Sequence, residues 1–186
     1  MEHKPFVITI VGPESSGKTT LARQLAADIG CPWVPEYARK YLEELGREYN
    51  EDDLSLISEG QIAAFYEAVS SIQATVGNLQ SSVVSRQSSI DNSFLVFHRE
   101  DFGEEPRPVI IVDSGMMGMR MWAKLKYNLE VPLVEEALKE DVTSMYILCR
   151  PVLPWEADPL REAPTLLARA WIYNHFLKEM FLTQVK

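Results

Sequence analysis

The stretch "ITIVGPESSGKTTLARQL", from Ile8 to Leu25, restricts the possible fold more than any other part of the chain. "FVITIV" (Phe6 to Val11) is short, apolar and rich in β-branched residues, as expected of a buried strand. "GPESSGKT" (Gly12 to Thr19) follows at once and matches G-x-x-x-x-G-K-[ST]. From Lys18 onward Leu21, Ala22, Leu25, Ala26 and Ile29 recur at helical spacing, and Gly30 is placed to end that helix. A strand, a glycine-rich loop and a helix in this order make an anion cradle. Successive backbone N–H groups curl inward at a helix N-terminus, where the dipole favours polyphosphate oxygens. Lys18 adds a mobile point charge for the β- and γ-phosphates. Thr19 offers a hydroxyl to Mg²⁺. The residues expected to contact nucleotide are Gly12, Pro13, Glu14, Ser15, Ser16, Gly17, Lys18, Thr19 and Thr20.

The rest of the chain alternates between strand-like and helix-like segments. "CPWVPE" is a brief strand closed by Pro35, and "YARKYLEELG" a short helix ending at Gly46. A long helix is predicted from about Asp52 to Val76, with Leu54, Ile57, Gln61, Phe65, Ala68, Ile72 and Val76 on its inner face. Residues 77–108 read as a polar insertion, with a Ser-rich loop or loose helix, a possible strand "FLVF" and a charged linker. "VIIVD" (Val109 to Asp113) and "SMYILC" (Ser144 to Cys149) read as buried strands. "GMMGMRMWAKLKY" and "PLVEEALKE" are predicted helices, the methionines of the first serving as core filler. A last amphipathic helix from about Thr165 would bury Leu166, Ala170, Tyr173, Leu177 and Phe181. No repeat is visible. The alternation predicts a three-layer α/β/α fold of the P-loop NTPase class with a mostly parallel sheet.

At 186 residues the chain suits a single domain. Its formal net charge of −9 argues against a nucleic-acid partner. The two cysteines, Cys31 and Cys149, form no metal pair or disulfide framework and read as buried thiols. The N-terminus shows no leader-like apolar run, and no segment reaches the length of a membrane span. A cytoplasmic location without membrane association is the expectation.

Ligands bind such sheets at the carboxyl ends of strands, which directs attention to the acids there. Asp113 ends "VIIVD" and can face the ion held by Thr19; a helix-capping role for Asp113 or Ser114 is the competing reading. Glu36 follows the short second strand, where a carboxylate can accept a proton from an acceptor hydroxyl or bind a sugar. Gln61 interrupts an apolar stripe, so its amide either bonds nearby backbone or points into a polar cleft. "RPVLPWEADPLREAP" is irregular and reads as a lid over about residues 150–164. Arg161 and Arg169, in and just after it, can neutralise charge on a transferring phosphoryl group.

"GPESSGKTTLARQLA", "VPEYARKYLEE", the helix bearing Gln61, "VIIVDS", Trp122 and "PWEADPLRE" together resemble the ribosylnicotinamide kinase domain of NadR-type proteins. The resemblance covers most of the chain outside about Gly77 to Pro108. It implies ATP-dependent phosphorylation of a nucleoside, nicotinamide riboside, with ATP and Mg²⁺ as cofactors. It implies catalytic roles for Lys18, Glu36, Asp113 and Arg161, and metal binding by Thr19 and Asp113. Arg169 would join the nucleotide-binding set. Glu36, Tyr37, Arg39, Gln61, Trp122 and Asp158 would lie on the acceptor side. A cationic pyridinium suits an aromatic pocket, with Trp33, Tyr37, Trp122 and Trp155 as candidate walls. Where the family carries Asp-Thr-Asp after its strand, this chain has Asp113-Ser114-Gly115. Two other readings stand beside this one. The chain could be a nucleotide-binding regulatory ATPase module, or a P-loop kinase for another acceptor such as a deoxynucleoside.

Overall fold

The computed structural model describes residues 4–82 and 108–182. Four strands, β1 (Phe6–Val11), β2 (Trp33–Val34), β3 (Val109–Asp113) and β4 (Thr143–Leu148), form a sheet in the order β2-β3-β1-β4. Every pairing is parallel. Parallel neighbours need long crossovers, and helices supply them. α1 (Lys18–Ile29) links β1 to β2, while α2 (Tyr37–Glu44) and α3 (Asp53–Ser82) lie between β2 and β3. α4 (Gly115–Trp122), a single π-helical turn over Ala123–Tyr127, and α5 (Pro132–Lys139) lead to β4, and α6 (Leu166–Leu182) follows it. The fold is the three-layer α/β/α arrangement expected of the sequence.

The period of two along β3 explains the layers. Val109 and Ile111 pack with Ile10, Ala22, Ala26 and Ile29 on the α1 face. Ile110 and Val112 pack with Val7, Val34 and Ile72 on the α3 face. Burying each such side chain is worth about 1.5–3 kcal/mol, so the central strands anchor the site that grows from their ends. A third cluster, built mostly from helices, joins Ala38, Leu54, Ile57, Met119 and Val134. Met117 and Met121 instead face Val11 and Phe176, so the methionines of α4 do fill core, on two sides of one helix. Arg120 fixes that helix from outside by bonding Glu135 of α5 and Glu179 of α6.

Several expectations need correction. β4 is a sheet edge among the described strands, and its residues are mostly half-covered rather than buried. The inward residues of α6 are Arg169, Ile172, Phe176 and Met180, whereas Leu166, Leu177 and Phe181 are exposed. Periodicity alone does not choose between the two apolar stripes, and packing of Phe176 against Val11, Met117 and Met121 turns the helix away from the predicted one. α3 continues through Gly77 to Ser82, since one glycine weakens a helix by only about 1 kcal/mol. Cys31 and Cys149 are half-buried rather than buried, and burial pushes the Cys31 thiol up to about 11. "FLVF", residues 83–93 and most of the charged linker lie outside the described residues.

Candidate nucleotide and acceptor site

Because all four strands run parallel, their carboxyl ends open on one edge of the sheet. β1 delivers the Gly12–Thr19 loop there, β2 delivers Glu36, β3 delivers Asp113, and β4 delivers the segment 149–165. These elements surround a cleft of about 740 Å³ whose walls include Lys18, Glu36, Arg39, Trp122, Trp155 and Arg161.

The loop is held against the end of β4. Gly12 has φ +142°, and a Cβ there would meet the Cys149 carbonyl oxygen at 2.7 Å, so only glycine fits. Ser15 adopts φ +49°, a left-handed value uncommon for a residue with a side chain. Ser16 Oγ and Lys18 Nζ both donate to the Pro13 carbonyl, at 2.7 and 2.9 Å.

Thr19 Oγ1 donates to Asp113 Oδ2 at 2.6 Å. Asp113 is fully buried, and among the described residues its other oxygen, Oδ1, has no hydrogen-bond partner. Burial and, secondarily, the charge of Glu36 push the Asp113 carboxyl up to about 6, against opposing hydrogen bonds and the charge of Lys18. The next residue, Ser114, sits at φ 65° and ψ −48°, which lies near the strained γ-turn region. Such a backbone costs of order 1–3 kcal/mol and is a common companion of functional sites. It turns the chain abruptly from β3 into α4 and leaves Ser114 on the cleft wall. The capping reading of this stretch is half right. Ser114 is the N-cap of α4, but no side chain bonds the helix end there.

Glu36 is the residue before α2, and its position is set from behind. Gln61 Oε1 accepts the Tyr37 N–H at 2.7 Å, and Gln61 Nε2 donates to the Pro35 carbonyl at 3.2 Å. Both amide atoms are thus spent on the backbone flanking Glu36, and Gln61 is buried away from the cleft. Tyr37 is also turned away: its ring packs over Gly60, where a Cβ would meet it at 2.1 Å. Trp33 packs into the α1 face of the sheet. Of the four candidate aromatic walls, only Trp122 and Trp155 line the cleft.

The segment 149–165 folds over the loop through several contacts. Glu14 Oε2 accepts the N–H groups of Glu162 and Ala163 at 2.9 and 2.8 Å. Asp158 Oδ1 accepts the Leu160 N–H at 2.9 Å, and its Oδ2 pairs with Arg39 at 3.0 Å. These contacts, the backbone one first, hold the Asp158 carboxyl below its ordinary range. Asp158 therefore ties the segment to α2 and is not itself on the cleft wall. Arg161 donates to the Glu156 carbonyl at 2.7 Å and lines the cleft. Arg169 lies in α6, behind the loop.

Two cleft residues, Tyr49 and Lys126, carried no motif, and Glu162, the last residue of "PWEADPLRE", had no expected role. Tyr49 packs on Trp122 with ring centroids 5.2 Å apart, and its hydroxyl donates to Glu162 at 2.7 Å. Lys126 bonds both Glu162 and the Tyr49 hydroxyl and lies 3.9 Å from the Tyr49 ring centre. Burial pushes the Tyr49 phenol up to about 12, Glu162 adding to it and Lys126 opposing. The available signal was that Trp122 and Lys126 are four residues apart on one predicted helix, hence neighbours on one face.

A parallel α/β sheet whose first strand opens into a glycine-rich phosphate cradle, with an acid at the adjacent strand end, defines a P-loop nucleotide-binding fold. A family model described as an AAA domain (AAA_28) matches residues 7–183, and the chain belongs to that family. No curated protein sequence matches the chain. Two solved structures of NadR are similar in fold. The NadR protein in complex with NR is 23% identical with a TM-score of 0.66, over 98% of this chain and 44% of that one. The NadR protein in complex with NAD and AMP-PNP is 21% identical with a TM-score of 0.65, over 98% of this chain and 42% of that one. This chain thus spans less than half the length of either.

Proposed function

We propose that this protein is an ATP-dependent small-molecule kinase acting on a nucleoside, with nicotinamide riboside the foremost acceptor. The observation that carries the reading is the shared cleft. The Gly12–Thr19 cradle, the Glu36 carboxylate and the Trp122–Tyr49 pair open on one space large enough for two ligands. The fold shared with NadR, seen elsewhere with NR and with AMP-PNP, supports it.

Mg²⁺ suits the Thr19–Asp113 pair, because the donors are hard oxygens and Asp113 Oδ1 is buried without a hydrogen-bond partner among the described residues. Among the described residues no group of three or more metal-ligating side chains exists, so the ion's remaining ligands would be phosphate and water, as is usual for Mg²⁺. When bound, it would neutralise charge on the phosphate oxygens. The loop amides hold the polyphosphate, and Lys18 leaves the Pro13 carbonyl to follow the charge of the transferring group. Glu36 accepts the proton of the attacking hydroxyl. Arg161, on a segment acting as a lid, offsets charge on the phosphoryl oxygens. Catalysis of this kind is mostly positioning and charge neutralisation.

The replacement of the family's second acid by Gly115 favours the alternative, a regulatory module that hydrolyses ATP slowly. An ATP-consumption assay over nicotinamide riboside, the common nucleosides and deoxynucleosides separates the two. A kinase consumes ATP far faster with its acceptor and forms a product heavier by one phosphoryl group. Equal consumption with and without every acceptor refutes the kinase reading.

A further inference from the structure

Behind the phosphate loop lies Arg169, expected from the sequence to meet nucleotide directly but absent from the cleft wall. Arg169 is only 4% exposed. Its guanidinium donates to the Leu153 carbonyl at 2.9 Å and to the Ser15 carbonyl at 3.4 Å, through the same nitrogen. The Trp155 ring covers it, with the guanidinium carbon 5.9 Å from the ring centre. Among the described residues its Nε has no hydrogen-bond partner, and it is buried. Among the described residues, none of its contacts is a carboxylate. A buried charge left without a counter-ion is destabilising. Elsewhere in the molecule the comparable case is compensated: buried Asp53 is met by Arg47 at 2.7 Å.

The location gives this cation a purpose. A trans peptide is planar, so the Ser15 carbonyl and the Ser16 N–H point in opposite directions. The left-handed φ of +49° at Ser15 helps turn that peptide over. Arg169 holds the carbonyl on the outer side of the loop, which aims the Ser16 amide toward the cradle. The bond to Leu153 places the same guanidinium at the root of the segment that covers the cleft.

We infer that Arg169 is a positioning residue for the phosphates of the nucleotide: its guanidinium sets the Ser15–Ser16 peptide, and its charge is balanced only when polyphosphate is bound. The inference rests on the nucleotide-binding half of the proposed function and not on the acceptor.

The test is Arg169→Met in the full chain, read by thermal unfolding without nucleotide and by calorimetric titration with Mg·ATP at low and high salt. The expected result is a nucleotide-free Tm equal to or above that of the parent, ATP affinity weaker by at least about tenfold, and a shallower salt dependence of that affinity. A merely structural arginine would lower Tm and leave the salt dependence unchanged, and that outcome overturns the inference. ATP affinity within about twofold of the parent overturns it too. If Arg169→Met does not fold, Arg169→Lys is read in its place. Lysine keeps the charge without the planar fork, so ATP affinity weaker by about threefold or more supports the positioning role, and parental affinity overturns it. A parent protein that binds ATP but phosphorylates nothing refutes the kinase reading alone. A parent that binds no ATP refutes both.

Discussion

The carboxylate of Glu14 accepts the backbone N–H of Glu162 at 2.9 Å, which joins the phosphate loop to the segment that covers it. Glu14 occupies a position the loop motif leaves open, and it also accepts the Ala163 N–H at 2.8 Å. Glu162 in turn meets Tyr49 and Lys126 on the far wall. One residue of the loop is therefore linked, through the covering segment, to the Tyr49–Trp122 wall of the cleft. Glu14→Ala should expose residues 149–165 to faster proteolysis and lower kcat/KM by about tenfold, with Glu14→Gln intermediate because its amide oxygen still accepts. Parental proteolysis and kinetics in Glu14→Ala would show that the link is idle.

Lys18 makes one hydrogen bond to its own loop, to Pro13, so its loss should cost the fold little. Lys18→Ala is expected to leave Tm nearly unchanged and to reduce ATP turnover by about 100-fold or more. Unchanged turnover would remove the phosphate role of the loop.

Asp113 should oppose stability in the nucleotide-free protein. Its folded pKa of about 6 lies above the unfolded value of ~3.9, so the folded state disfavours the charged form. The group is harmless below the unfolded pKa and increasingly destabilising as pH rises through about 6. Asp113→Asn is expected to raise the stability of the free protein at pH 7 by at most about 3 kcal/mol, to lose most of that gain at pH 4, and to abolish turnover. Chemical denaturation at the two pH values checks this, and a variant less stable at pH 7 contradicts it.

Asp53 should behave in the opposite way. It accepts from Arg47, Tyr41 and the Asn50 N–H, and the Arg47 contact above all holds its carboxyl well below the usual range. Its contribution is complete above the unfolded carboxylate pKa of ~3.9 and is lost as pH falls through the lower folded value. Asp53→Asn should lower Tm by several degrees at neutral pH, with the gap to the parent closing in acid. A gap that is constant with pH would mean the charge contributes nothing.

Gln61 should act on chemistry without touching the cleft. Gln61→Met leaves the Tyr37 N–H and the Pro35 carbonyl without their partner on either side of Glu36, at a cost of about 1–3 kcal/mol. We expect acceptor-dependent turnover to fall while ATP affinity, measured by titration, stays near parental. An equal loss of both would place Gln61 in the nucleotide site.

The parts of the fold legible in the sequence are those where one local pattern sufficed. The β-branched runs at Phe6–Val11 and Val109–Asp113 and the glycine-framed loop after the first needed no tertiary context. Gln61 was legible as an anomaly but not as a solution, because choosing between cleft and backbone needs the Pro35–Tyr37 peptide groups in space. The α6 face failed for a related reason. Helical periodicity offers two apolar stripes there, and which one is buried depends on the tertiary cluster of Val11, Met117 and Met121 that receives Phe176. Tyr49, Lys126 and Glu162 come from three distant segments and have no sequence signature as a group.

The backbone at Ser114 has a consequence for how this molecule could be hardened. An L-residue at φ 65° and ψ −48° is held there by its surroundings, so relaxing it offers a gain at a single position. Glycine at 114 would tolerate that bend readily, yet it would remove the side chain of a residue that lines the cleft next to Asp113. Selection for heat resistance alone would push this site toward glycine, and persistence of serine under such selection would mark that side chain as indispensable.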